Sequence, residues 1–222
     1  MNDKRILLVL GGTWHDFDGF GRIIGPVLMN AGHSLETTYS LDALKTLDDR
    51  HDLALLYTCL TADQEDGSPA TVRLTDDHAI PLAKWVAAGG ALLAVHGATV
   101  SGQSSPVFRK LVGGVFISHP SATRFTVYPL SNDHPITKGL EAFEVDDELY
   151  VQRCEPDLTV HMIAIHDGVA QPLVWGRMEG KGRVAHVAMG HDEQVWNLRQ
   201  YQQLLVRVIG WLANPQRHRA RA

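Results

Sequence analysis

Three short apolar runs constrain this chain more than any other feature: Arg5–Leu10 (RILLVL), Leu53–Thr58 (LALLYT) and Ala91–Val95 (ALLAV). None alternates apolar with polar residues, so none is a strand with one wet face. Each is far too short to cross a bilayer. A continuous apolar run of this length fits a strand covered on both faces, as inside a parallel sheet.

Helical patterns lie between the runs. Gly21–Ala31 is amphipathic, and Gly32 stands where a helix C-cap belongs. His33–Tyr39 reads as a further strand. Thr75–Ala88 reads as a helix, with Thr75 as N-cap, Pro81 in its early turns and Gly89-Gly90 at its end. Ser105-Pro106 opens a short helix, with Ser as cap and Pro in the first position. Alternating strand and helix implies βαβ units with right-handed crossovers.

The second half has a different texture. Thr123–Tyr128 and Pro172–Met189 are strand-like. Glu179–Gly182 makes a tight turn between Val174-Trp175 and Val184–Val187. Gln200–Ala213 closes the chain as a helix. No repeat, low-complexity segment or linker divides it. The expected fold is α/β: a doubly wound, mostly parallel sheet with helices on both faces and antiparallel additions. It forms one domain over residues 1–213, with a basic, disordered tail over 214–222.

With 222 residues the chain can bury a core without help from a disulfide or a metal. A net charge of -5 gives no ground for nucleic acid or an anionic membrane as partner. Cys59 and Cys154 form neither CxxC nor a zinc pattern. Cys59 ends an apolar run and reads as a small buried residue. Met1–Arg5 is polar and shows no secretory signal, so the expected compartment is the cytoplasm. Nothing indicates an interface; a homo-oligomer stays open.

Ligands of open parallel sheets bind at the carboxyl ends of the strands. Three such ends deliver a histidine here: His15 after the first run, His96 after ALLAV, and His191 after Ala185–Met189. His96 sits in Val95-His96-Gly97-Ala98, the sharp strand-to-loop elbow that a nucleophile occupies in some hydrolases. Imidazole serves there as base, acid or metal ligand. Gly11-Gly12 is not GxGxxG, and neither a P-loop nor GxSxG occurs, so no nucleotide cofactor and no serine hydrolase is expected.

The chain resembles the ThuA-like (trehalose utilisation) family of the class I glutamine amidotransferase-like superfamily. The matching segments are Gly11-Gly12 with His15, GGALLAVHGA (89–98), GGVFISHP (113–120) and DHPITKGL (133–140). They continue with Asp147-Glu148-Leu149-Tyr150, PLVW (172–175) and GKGRVAHVAMGH (180–191). The resemblance implies a flavodoxin-like sheet whose amidotransferase triad is lost. It places His96 where that fold carries its Cys, His191 near the triad histidine, and Asp192 or Glu193 near the third position. It also implies a role in sugar catabolism, with oxidised (3-keto) glycosides as a recurring substrate class. Thr13-Trp14 before His15 departs from commoner members.

The candidate catalytic residues are therefore His96, His191 and Glu148. Glu148 lies in an acidic run that would otherwise read as a solvated face. Trp14, His15, Tyr57, Tyr150 and Trp196 are candidates for binding a sugar, the aromatics through flat apolar faces. A divalent metal such as zinc is a candidate cofactor, held by His96, His119 and His191 with Glu148 nearby, although no HExxH or HxH spacing supports it. Without metal, the same groups suit proton transfer next to a sugar ketone. His134 reads as a turn residue. His161, His166 and His186 read as packed or surface residues, and His33, His51, His78 and His218 as solvent-facing. The competing function is a non-catalytic sugar-binding or regulatory module. A working glutamine amidotransferase is excluded, since neither cysteine stands at the elbow.

Overall fold

The computed structural model describes residues 3–61, 67–68 and 70–213. The expected basic tail, with His218, lies outside them. The three apolar runs form β1 (Arg5–Gly12), β3 (Leu53–Cys59) and β4 (Ala91–Val95). With β2 (Ser34–Thr38) and β11 (Gly182–Val187) they make a parallel sheet in the order β2-β1-β3-β4-β11. That order is the flavodoxin-like one, whose switch point lies between β1 and β3.

Burial on both faces explains the continuous apolar runs. Ile6, Leu8 and Leu10 of β1 face one core with Leu53, Leu55 and Tyr57 of β3. Leu7 and Val9 face the other with Ala54 and Leu56. α1 (Phe17–Asn30) and α5 (Arg199–Leu212) cover the first face through residues such as Phe20, Ile24, Leu204 and Val208. α2 (Asp76–Ala88) and α3 (Pro106–Val112) cover the second through Leu82, Val86 and Phe108. Ser105 caps α3 by accepting the Phe108 N–H at 3.0 Å. Thr75 caps α2 in a box closed by His78, whose Nδ1 accepts the Thr75 N–H. α1 starts earlier than its periodicity predicts, because Asp16 accepts the Gly19 N–H and sets the first turn.

Four antiparallel strands extend the sheet beyond β11. They are β10 (Val169–Glu179), β9 (Thr159–His166), β6 (Thr123–Pro129) and β7 (Phe143–Asp147), which give nine strands in all. The β10–β11 hairpin turns at Glu179–Gly182, as expected, and pairs Val174 with Val187 and Glu179 with Gly182. Register shifts in β10, at Pro172/Val174 and Val174/Trp175, bend the sheet there. Phe125, Val127, Phe143 and Val145 thereby join the same core as α1 and α5. The curl carries the end of β7 back over the carboxyl ends of the parallel strands. A separate ribbon pairs β5 (Gly114–Ser118) with β8 (Val151–Cys154). Among the described residues, no helix is long and apolar enough to cross a membrane.

Three histidines expected to face solvent do not. His33 is buried against the end of α1, where its N–H bonds the Leu28 carbonyl. His51 packs beside Glu36, and His78 folds back onto the helix it caps. His161 and His186 are packed, as one of their two expected placements allows. His134 accepts the Ile136 N–H at 3.3 Å, a turn role.

Burial holds two of these imidazoles neutral. Desolvation, aided by His96, pushes His186 down to about 3. Desolvation, aided by His134, pushes His161 down to about 4. An unfolded histidine titrates near 6.5, so between those values the unfolded chain binds more protons, and stability is lost as pH falls below about 6.5. His161→Phe keeps the ring packing and removes one such group. Unfolding free energies from urea titrations between pH 7 and 5 are expected to fall less steeply in the variant, by up to about 1 kcal/mol per pH unit.

Candidate functional site

Five loops meet above the carboxyl edge of the sheet. The β1 loop brings His15, the β4 elbow brings His96, and the β11 loop brings His191. The end of β7 brings Glu148, and the segment after β5 brings His119. One ligand atom from each of His15, His96, Glu148 and His191 lies within 4.8 Å of all the others.

The elbow is strained as its position requires. His96 has φ +48, in the left-handed region that few residues other than glycine adopt. Its fully buried ring bonds the Ala188 carbonyl through Nδ1 at 2.7 Å. A carbonyl only accepts, so Nδ1 is the donor in this bond and Nε2 is left facing the site. His186 mirrors this bond, donating from Nδ1 to the Ala94 carbonyl at 3.0 Å. The two imidazoles thus lock β4 to β11 from both sides. His15 is set the same way: Nδ1 donates to the Thr13 carbonyl at 3.0 Å, leaving Nε2 for the site.

Glu148 bridges the group. Its Oε2 lies 3.2 Å from His191 Nδ1 and 3.5 Å from His96 Nε2, and its Oε1 lies 3.6 Å from His119 Nε2. Burial opposes its ionisation, but His191 and His96 outweigh burial and hold the carboxyl well below the usual range. The same carboxylate raises His191. Desolvation and neighbouring His96 push His15 down to about 3, so that ring is neutral.

Three buried nitrogens of this group have no hydrogen-bond partner among the described residues: His15 Nε2, His96 Nε2 and His191 Nδ1. The Glu148 contact to His191 is close but lacks hydrogen-bond alignment. Each orphaned buried polar atom costs about 1–3 kcal/mol. Two ligands about 2.1 Å from one tetrahedral ion stand about 3.4 Å apart. The 3.2 and 3.5 Å separations have that scale.

Asp147 underlies the arrangement and was not singled out by its sequence. Its carboxylate is buried and accepts three N–H groups, from Gly190 at 2.7 Å, Glu148 at 2.8 Å and His191 at 3.1 Å. Burial pushes this carboxyl up, opposed by His96 and by the three donors. The alternation of β7 is the signal that could have found it: Val145 and Asp147 face inward, while Asp146 faces out to Arg124. Gly190 has φ +126, and a Cβ there would lie 2.4 Å from the Tyr201 hydroxyl.

The remaining candidates divide. Trp14, Tyr150 and His119 line a cleft of about 610 Å³ that opens onto His15, Glu148 and His191. The Tyr150 ring packs between His96, at 4.2 Å, and Phe116, at 4.5 Å. Tyr57 and Trp196 are each 1% exposed and offer no face to a sugar. Tyr57 stacks on Phe20 and donates to the Gly190 carbonyl at 2.9 Å, and Trp196 Nε1 donates to the same carbonyl at 2.7 Å. Both hold the turn that carries His191. Asp192 caps α4 (Glu193–Trp196) by accepting the Gln194 N–H, and Glu193 is exposed. The carboxylate beside His191 is therefore Glu148, from a distant strand. His119 lies at the opposite oxygen of Glu148, outside the group of four.

The doubly wound sheet with its antiparallel extension has solved relatives. A ThuA-like protein from Parabacteroides merdae matches with TM-score 0.80 at 17% identity, over 96% of this chain and 91% of that one. A second, from Bacteroides uniformis, matches with TM-score 0.70 at 18% identity, over 94% and 91%. A β-galactosidase from Rahnella sp. R3 shares the fold over 94% of this chain but only 31% of its own, with TM-score 0.64 at 15% identity. Among curated proteins there is no match. The family model for ThuA, trehalose utilisation, matches residues 14–212, and the chain belongs to that family.

Asp147→Ala would strip three buried N–H groups of their acceptor. The expected loss is at least about 3 kcal/mol of unfolding free energy. Denaturant unfolding measures it, and a loss under about 1 kcal/mol would contradict the role given to Asp147.

Proposed function

We propose that the protein is a divalent-metal enzyme of carbohydrate catabolism. It acts on a sugar or an oxidised (3-keto) glycoside, and His15, His96, Glu148 and His191 hold the ion. The observation that carries this reading is the convergence of three orphaned imidazole nitrogens on one carboxylate. Two of the rings have their far nitrogens already fixed by carbonyls, as histidine ligands of metals require. A dead scaffold has no need to bury such groups unpaired. Membership of a trehalose-utilisation family supports a carbohydrate-related role.

Imidazoles with a carboxylate suit zinc or a similar ion. When bound, the ion would polarise a sugar carbonyl or hydroxyl as a Lewis acid. The chain supplies the rest. His119 donates from Nδ1 to the Pro120 carbonyl at 2.8 Å and presents Nε2 toward Glu148, placed to hold or deliver a proton on the sugar. Trp14, half exposed on the cleft wall, offers a flat face for a ring, whereas Tyr150 is buried between His96 and Phe116 and serves as the floor beneath them.

Elemental analysis of the purified protein tests the ion. Wild type is expected to hold about one divalent ion per chain. His15→Ala, His96→Ala and His191→Ala are each expected to lose it, while His119→Ala keeps it. If wild type takes up no zinc, manganese or nickel on incubation, the metal reading fails, and the group is left to acid–base chemistry or to binding alone.

A further inference from the structure

His186 stands inside the buried apolar run Val184–Met189, and the proposed ion-binding group does not include it. The ring is fully buried and keeps both nitrogens engaged. Nδ1 donates to the Ala94 carbonyl at 3.0 Å. Burial keeps the ring neutral, so Nε2 is an acceptor and takes an N–H of the Gln152 amide at 3.1 Å. That bond orients the amide, and Gln152 Oε1 is left buried without a hydrogen-bond partner among the described residues.

The two ends of this chain of bonds belong to two walls of the site. Ala94 stands two residues before His96, at the end of β4. His96 in turn donates to the carbonyl of Ala188, two residues after His186, so each strand holds the other through an imidazole. Gln152 lies on β8, opposite Phe116 of β5. Phe116 belongs to the cleft wall. Tyr150 comes directly before β8 and packs on the His96 ring, and His119 comes directly after β5. His186 therefore connects the elbow to the ribbon. An apolar side chain would fill its place as well: replacing both partners of a buried hydrogen bond by apolar groups of like shape is nearly neutral for stability. What the pair supplies is direction, because hydrogen bonds fix orientation where apolar contacts tolerate several.

We propose that His186 and Gln152 are positioning residues, which together set the elbow histidine, His96, against the ribbon that bears Tyr150 and His119. The inference rests on the divalent-ion reading and deepens it: the geometry of the ion-binding group is fixed from behind by two residues outside it. Their effect passes through the Ala94 carbonyl to the elbow. Support is needed there, because His96 is held at φ +48.

Cobalt titration against a competing chelator, urea unfolding and nitrogen NMR of the histidine rings test this together. The double variant His186→Leu with Gln152→Leu replaces the whole pair. It is expected to unfold at no lower urea concentration than wild type, yet to hold cobalt about tenfold more weakly and with an altered absorption band. His186→Asn keeps a donor for the Ala94 carbonyl and is expected to recover most of the affinity and the wild-type band. Gln152→Met breaks the link at the ribbon alone; it is expected to weaken cobalt in the same direction, and it carries the test should the double variant not fold. Cobalt affinity unchanged in these variants would overturn the inference. So would a loss of affinity that tracks a loss of stability and is not recovered by His186→Asn. In the ion-free protein, the ring-nitrogen signals of His96 are expected to shift in the double variant and in Gln152→Met, and to return in His186→Asn. If wild type takes up no cobalt, the divalent-ion reading fails, and these signals decide the positioning role by themselves: unmoved, they overturn it.

Discussion

The buried carboxylate of Asp147 is the contact on which the site depends. It gathers the N–H groups of Gly190, His191 and Glu148 onto two oxygens. Two of those donors belong to the loop after the last parallel strand, and the third follows directly on the last strand of the antiparallel extension. One anchor thus joins β11 to β7, with three strands between them in the hydrogen-bonded order. Tyr57 and Trp196 finish the work from below by donating to the Gly190 carbonyl. Burial of this carboxyl is offset in part by the three N–H groups it accepts.

Much of the fold is legible in the sequence because a parallel core writes itself plainly. RILLVL, LALLYT and ALLAV are buried on both faces and read so. Ser105-Pro106 and Thr75 read as caps and are caps. The antiparallel extension is harder. β5 and β8 are strands of five and four residues whose bulged pairing blurs any alternation, and β7 alternates over only five residues. Their partners lie far off in sequence, and pairing at that distance leaves no local trace.

The site was legible in its histidines and not in its partners. His15, His96 and His191 each follow a strand, which is enough to place them on one edge. That His15 belongs with the other two, and His119 to one side, depends on loop geometry. So does the replacement of Asp192 by Glu148 beside His191. Tyr57 and Trp196 mislead because an aromatic near a site is as readily a strut as a platform. Their hydroxyl and indole N–H point at backbone, and only coordinates show that. His33 misleads for a simpler reason: a polar residue after a C-cap glycine is usually wet, and here α1 closes over it.

The sheet's curl has a further consequence. The group of four is assembled from two regions that need not share one opening free energy. His15, His96 and His191 sit on the parallel half, and Glu148 sits at the end of the outermost strand. Anything that bridges the group ties the rim of the sheet to its centre. Occupancy would therefore be felt as slower amide exchange along β6 and β7, far from the ligand, because a ligand that binds only the closed form adds its binding free energy to the cost of opening.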